Sequence, residues 1–111
     1  MEISESIIEH YVIVSVTGRI DSYTAPQFSD SLKALHQRGA HGIIINLKDV
    51  VYVSSAGLRV LIDLHKMRKY SNLGELVLVN VPPRIFETLE LAGFTPLFRF
   101  FPDVETAVQK S

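Results

Sequence analysis

Between Tyr11 and Thr17 apolar and polar positions alternate strictly enough to define two faces, with Val12, Val14 and Val16 on one and Tyr11, Ile13 and Ser15 on the other. That two-residue period predicts a half-buried β-strand. Ile3 to Ile8 is similarly β-rich and only Glu9-His10 intervenes, so the chain opens with a hairpin. Gly18 then begins a polar stretch, GRIDSY, read as a loop. It leads into Thr24-Ala25-Pro26-Gln27, a capping-box pattern with proline in the first turn, where its missing N–H does no harm. Phe28, Leu32 and Leu35 follow at helical spacing, and Gly39 stands where a left-handed C-terminal cap belongs, giving a helix to about Arg38.

The pattern changes at Gly42, where Ile43-Ile44-Ile45-Asn46-Leu47 forms an almost continuous apolar run. Such a strand is covered on both faces and belongs in the middle of a sheet. After Lys48-Asp49 comes VVYVSSAG, in which Ser54 or Ser55 can cap a helix carrying Leu58, Leu61, Ile62 and His65 on one stripe and ending at Asn72 and Gly74. Glu75 to Asn80 is a further strand. Pro82-Pro83 starts a helix bearing Ile85, Phe86, Leu89 and Ala92 and stopped by Gly93; Leu97 to Phe101 reads as an edge strand, and Asp103 caps a short helix with Val104, Ala107 and Val108. The order β-β-α-β-α-β-α-β-α describes one α/β domain over residues 1–111, a mixed, mainly parallel sheet with packed helices. In such sheets functional sites gather in loops beyond the carboxyl ends of the strands. Here these are GRIDSYT and VYVSSAG.

Composition narrows the function classes. The chain has 111 residues, a net charge of -1 and no cysteine, which excludes a disulfide scaffold, a thiolate zinc site and a cysteine nucleophile. Near-cancelling charge removes the long-range field of a dedicated nucleic-acid binder, so no direct nucleic-acid partner is expected. The acidic start MEISESIIEH does not resemble a secretory signal and no apolar run approaches the ~20 residues of a membrane helix, so a cytoplasmic protein without membrane contact is expected. His10, His36, His41 and His65 lack metal-ligand spacing, and hydrolase elbows and phosphate loops are absent; no catalytic residue, metal or cofactor is assigned. Arg59, Lys66, Arg68 and Lys69 make the second helix basic, Arg68 and Lys69 being placed to complement its dipole in the last turns. A small enzyme or ligand-binding domain using the same strand-end loops is the weakest alternative on these grounds.

Ser54-Ser55-Ala56-Gly57 is the most informative local feature: two hydroxyls and two small residues at a strand-to-helix junction. Free backbone N–H groups and the positive end of the helix dipole accommodate a negative group there, a phosphoserine included. The plainer account is one capping serine beside one solvated serine.

Thr17-Gly18-Arg19-Ile20-Asp21 ahead of one helix, paired with Val50 to Leu61 (VVYVSSAGLRVL) after an apolar strand, resembles the STAS family of anti-sigma-factor antagonists over nearly the whole chain. The resemblance implies a non-enzymatic switch that sequesters an anti-sigma factor with serine-kinase activity while Ser55 is unphosphorylated, and that a serine phosphatase resets. It places the phosphoacceptor at Ser55 and the supporting aspartate at Asp21. The partner-binding set it implies is Asp21, Ser54, Ser55, Ala56, Gly57 and Arg59. Ser54 departs from the family pattern, since the best-known antagonists carry aspartate there. That departure keeps open the alternative of a non-phosphorylated STAS scaffold or accessory subunit.

Overall fold

A computed structural model describes residues 1–110. Its centre is the strand at Gly42–Val53, in which Ile43, Ile44, Ile45 and Leu47 are all completely buried, as the unbroken β-branched run requires. In chain order the elements are β1 (Glu2–Ile8), β2 (Tyr11–Ile20), α1 (Ala25–Gln37), β3 (Gly42–Val53), α2 (Ser55–Ser71), β4 (Leu76–Val79), α3 (Pro83–Leu91), β5 (Arg99–Phe101) and α4 (Val104–Lys110), with a single 3-10 turn at Thr95–Leu97. The sheet runs β1-β2-β3-β4-β5; β1 is antiparallel to β2 and every other pair is parallel. This is the mixed, mainly parallel α/β architecture expected, with β3 in the middle.

Alternation along the strands builds two layers. Val14, Val16, Ile43, Ile45, Leu47, Leu76 and Leu78 face α1, α2 and α3, which bring Phe28, Leu32, Leu35, Leu58, Leu61, Leu64, Ile85 and Leu89 to the larger core. Tyr11, Ile13, Ile44, Val77 and Val79 face the other way, under Ala107 of α4.

Three local expectations need correction. Gly18 does not open a loop: β2 continues to Ile20 and β3 to Val53, and pairing persists through two register shifts. Between Ser15 and Thr17 of β2 the partner strand advances from Asn46 to Asp49, and between Gly18 and Arg19 from Val50 to Tyr52, so β3 carries an extra residue at each bulge. The polar Lys48-Asp49 is therefore an exposed bulge inside a strand, flanked by buried Leu47 and Val50. Second, Thr24 occupies the N-cap of α1 without capping it through its side chain; its hydroxyl donates to the Arg19 carbonyl at 2.9 Å and accepts from the Asp21 N–H at 2.9 Å.

Third, Arg68 does not sit at the surface beside the helix dipole. It is 2 % exposed, and its guanidinium donates to the carbonyls of Gly74 (2.7 Å), His41 (2.8 Å) and Ala40. It ties the end of α2 to the α1–β3 connection and to the entry of β4. Gly74 permits that approach: a Cβ there would lie 1.5 Å from the His41 carbonyl oxygen. Smaller differences are that β4 is one residue shorter at each end than Glu75–Asn80 and that Leu97 belongs to the 3-10 turn. Asp103 caps α4 as expected, its Oδ1 accepting from the Thr106 N–H at 2.7 Å.

Candidate functional site

The two strand-end loops picked out by sequence lie side by side because β2 and β3 leave the sheet together. Their last paired residues are Ile20 and Val53, and the Ser54 N–H donates to the Ile20 carbonyl at 2.8 Å. That single bond fixes the serine junction against the residue preceding Asp21.

On the β2 side the loop is organised by Asp21. Its Oδ1 accepts from the N–H groups of Tyr23 and Thr24, each at 3.0 Å, and its carbonyl accepts from Ala25 N–H at 2.8 Å. The backbone N–H of Thr24, with the Thr24 hydroxyl, the Tyr23 N–H and the Arg19 guanidinium adding to it, holds the Asp21 carboxyl below its ordinary value against a smaller opposing effect of burial. Asp21 is thus a fixed negative charge at neutral pH. Arg19 stands 3.7 Å from Asp21 Oδ2 and 4.4 Å from the centre of the Tyr52 ring, exposed contacts that orient more than they stabilise.

On the β3 side the two serines divide the work. Ser54 is extended (φ -86°, ψ 174°) and its Oγ accepts from the Gly57 N–H at 3.3 Å, so it is the N-cap of α2. Ser55, the first residue of the helix, is exposed and stands outside the capping interaction. Ala56 is half-buried and Gly57 buried. A Cβ on Gly57 would come within 2.7 Å of Ile20 Cγ2 and 3.1 Å of the Ile20 carbonyl oxygen, so glycine lets the first turn of α2 lie directly on the end of β2. Gly57 shapes the face from beneath. Arg59 is exposed and lies along the helix toward Asp63, at 3.6 Å.

The structure brings together Asp21, Ser54, Ser55, Ala56 and Gly57, with Arg59 one turn further on. It adds residues the sequence did not single out. Ala92 and Phe94, past the end of α3, join Leu58, Ile62 and Ser55 around an open groove of about 480 Å³. Tyr23 (91 % exposed) and Val51 (66 % exposed) are apolar groups at the same end of the sheet. Tyr23 sits in a polar loop with no periodicity to mark it, and Phe94 follows a helix-ending glycine. Neither position carries a local signal of its place at this surface, where Tyr23 is exposed and Phe94 half-buried. Among the described residues no three His, Cys, Asp or Glu side chains are grouped to hold a metal, and no helix is long and apolar enough to cross a membrane. The exposed Ser55 side chain thus borders an apolar groove, at the same end of the sheet as the fixed Asp21 carboxylate.

Residues 1–107 match the family model of the STAS domain. The chain is similar to the anti-sigma-B factor antagonist of Bacillus subtilis, 34% identical over 101 residues that cover 91% of each protein. Among solved structures it superposes on an anti-sigma factor antagonist from Mycobacterium paratuberculosis (TM-score 0.84, 24% identity, covering 97% of this chain and 91% of that one). It also superposes on unphosphorylated SpoIIAA (TM-score 0.82, 17% identity, covering 98% and 95%). At those identities the structural matches speak to the fold alone.

Proposed function

The chain belongs to the STAS domain family, and from that premise we propose that it is an anti-sigma factor antagonist that acts by binding rather than by catalysis. Unphosphorylated, it docks an anti-sigma factor on the face formed by Asp21, Ser54, Ser55, Ala56, Gly57 and Arg59, in the cytoplasm, and so frees a sigma factor. The partner is itself the serine kinase that modifies Ser55, and a serine phosphatase reverses the modification. The observation that carries this reading is the division of roles between the serines: Ser54 caps the helix, which leaves the Ser55 hydroxyl exposed without a structural task.

A phosphoryl group adds about -1.5 to -2 charges and strong acceptor oxygens. At the first residue of α2 it meets the positive end of the helix dipole, so the domain stays folded. Release comes instead from bulk, desolvation and repulsion at the docking face, to which the ionised Asp21 contributes. A loss of ~3 to 4 kcal/mol of binding weakens the complex several-hundred-fold, sufficient for a switch.

Incubation with the cognate anti-sigma factor and ATP, followed by fragment mass spectra, tests the assignment: phosphate is expected on Ser55, and phosphate on Ser54 with Ser55 untouched would overturn it. Asp21→Asn keeps an oxygen to accept the Tyr23 and Thr24 N–H bonds but loses the charge; it should fold normally and slow phosphorylation or weaken kinase binding.

A second reading is a scaffold subunit that assembles without phosphorylation. The outer edge of β1 favours it, being unpaired in the sheet and carrying exposed Ile7 and Ile8. Sedimentation of the isolated chain separates the two, since a scaffold assembles and the switch stays monomeric until a partner is added.

A further inference from the structure

The far end of α2 carries a second surface that the serine junction does not use. Lys66, Lys69 and Tyr70 project from its last turns, with Tyr70 90 % exposed, and Leu97 of the 3-10 turn faces them across a groove, 40 % exposed. The groove deepens toward Leu73 and Leu76 into a recess of about 230 Å³ whose rim includes His65 and Arg99. Charge on this rim is net positive, with Glu75 the one carboxylate among the described lining residues. Arg99 is paired with Glu75 at 2.6 Å, while Lys66 and Lys69 have no carboxylate within ion-pair distance among the described residues. Tyr70 and Leu97 are apolar groups left in water between those cations.

We propose that this groove docks an acidic, apolar-bearing segment of a partner protein. Carboxylates of the segment meet Lys66 and Lys69, and a leucine- or phenylalanine-sized side chain enters between Tyr70 and Leu97. A concave recess bounded by two elements admits a side chain, whereas a flat lipid surface is recruited by clusters of about four to eight free cations that this rim lacks. Nucleic acid is disfavoured for the same reason, in a chain whose net charge is -1.

Position gives the groove a distinct role. At 1.5 Å per residue, Lys66 lies roughly 16 Å along the helix from Ser55. That is about twice the screening length at physiological ionic strength, ~8 Å, so a phosphate at Ser55 leaves the groove's field unchanged. One end of α2 is thus a switchable contact and the other a constant one, and the groove's acidic occupant stays bound in both phosphorylation states.

The probe is a short synthetic peptide with Glu and Leu at helical spacing, titrated into the full chain at physiological ionic strength while backbone amide resonances are followed. Shifts are expected at Lys66 to Tyr70, Leu73 to Leu76 and Leu97 to Arg99. The exposed double substitution Lys66→Glu/Lys69→Glu should fold normally and bind about tenfold or more weakly, a loss of ~1.4 kcal/mol or more; Tyr70→Ala should weaken binding without changing charge, and Ser55→Asp should leave it unaltered. Equal binding of a control peptide with Lys in place of Glu would overturn the proposal. So would shifts confined to the Ser55 groove, unchanged affinity in the double variant, or movement of these resonances by phosphatidylglycerol vesicles but not by the peptide.

Discussion

The two ends of α2 handle polar groups in opposite ways. At its start the Ser54 hydroxyl, the Asp21 carboxylate and nearby backbone amides satisfy one another over a few residues, and the Ser55 side chain is left over, exposed. At its end one long cation, Arg68, is buried and reaches carbonyls from two other connections, Ala40 and His41 before β3 and Gly74 before β4. Short-range satisfaction makes a rigid face that tolerates chemistry on top of it. Long-range satisfaction makes a joint that tolerates very little. One end of the helix therefore leaves a hydroxyl exposed and unengaged, while the other is fastened to two connections.

Breaking the fastened end should have the largest effect. Arg68→Ala leaves three carbonyls without their donor and opens a cavity, and should cost about 3 kcal/mol or more in denaturant unfolding. Arg68→Lys retains the charge but loses the planar fork that reaches separate carbonyls, and should recover only part of it. A fully stable Arg68→Ala protein would erase the contrast between the ends. Next comes Gly57→Ala, whose Cβ presses on Ile20; about 1 to 3 kcal/mol of destabilisation is expected. Its thermal melt reads how tightly the docking face is built.

The serines sharpen the contrast within the accessible end. Ser54→Ala removes the cap and should cost about 1 kcal/mol, whereas Ser55→Ala should fall within ~0.5 kcal/mol of wild type. Equal losses would mean that both hydroxyls hold the helix. A smaller effect belongs to pH. His36 Nδ1 lies 3.4 Å from the Arg68 guanidinium, and burial, followed by that charge, lowers its pKa from the usual 6.5. Above that value the imidazole is neutral folded or unfolded and stability is full. As pH falls through 6.5 the unfolded chain takes the proton first, so stability declines until the lower folded pKa is reached. His36→Gln should flatten the fall in melting temperature as pH drops below 6.5, relative to wild type.

The element order and the central place of β3 were legible in the sequence because both rest on period: alternation in β2, an unbroken apolar run in β3, and helical stripes bounded by Pro, Asn and Gly. The bulged half of β3 was not, because VYVSSAG reads as a loop until pairing with β2 shows that the strand runs on through Lys48-Asp49 to Val53, carrying extra residues. Arg68 was misread for a related reason. A charged residue in a last helical turn is locally explained by the dipole, and its carbonyl partners Ala40 and His41 are 28 and 27 residues away in the chain. At the candidate site the residues with short-range partners, Asp21 and the two serines, were visible as a motif. Phe94 was not, since only tertiary packing sets it beside that motif, and Tyr23, although two residues after Asp21, stands in a polar loop where nothing marks its ring as exposed.

In the proposed switch a negative group on Ser55 acts on the interface and leaves the fold alone. This is tested most directly by calorimetric titration of the anti-sigma factor with the unmodified chain and with the same chain phosphorylated at Ser55, alongside the melting curve of each. Phosphorylation should weaken binding several-hundred-fold, a difference of ~3 to 4 kcal/mol, with a melting temperature equal to or slightly above that of the unmodified protein. Equal affinity in the two forms, or a phosphorylated chain that no longer melts cooperatively, would contradict it.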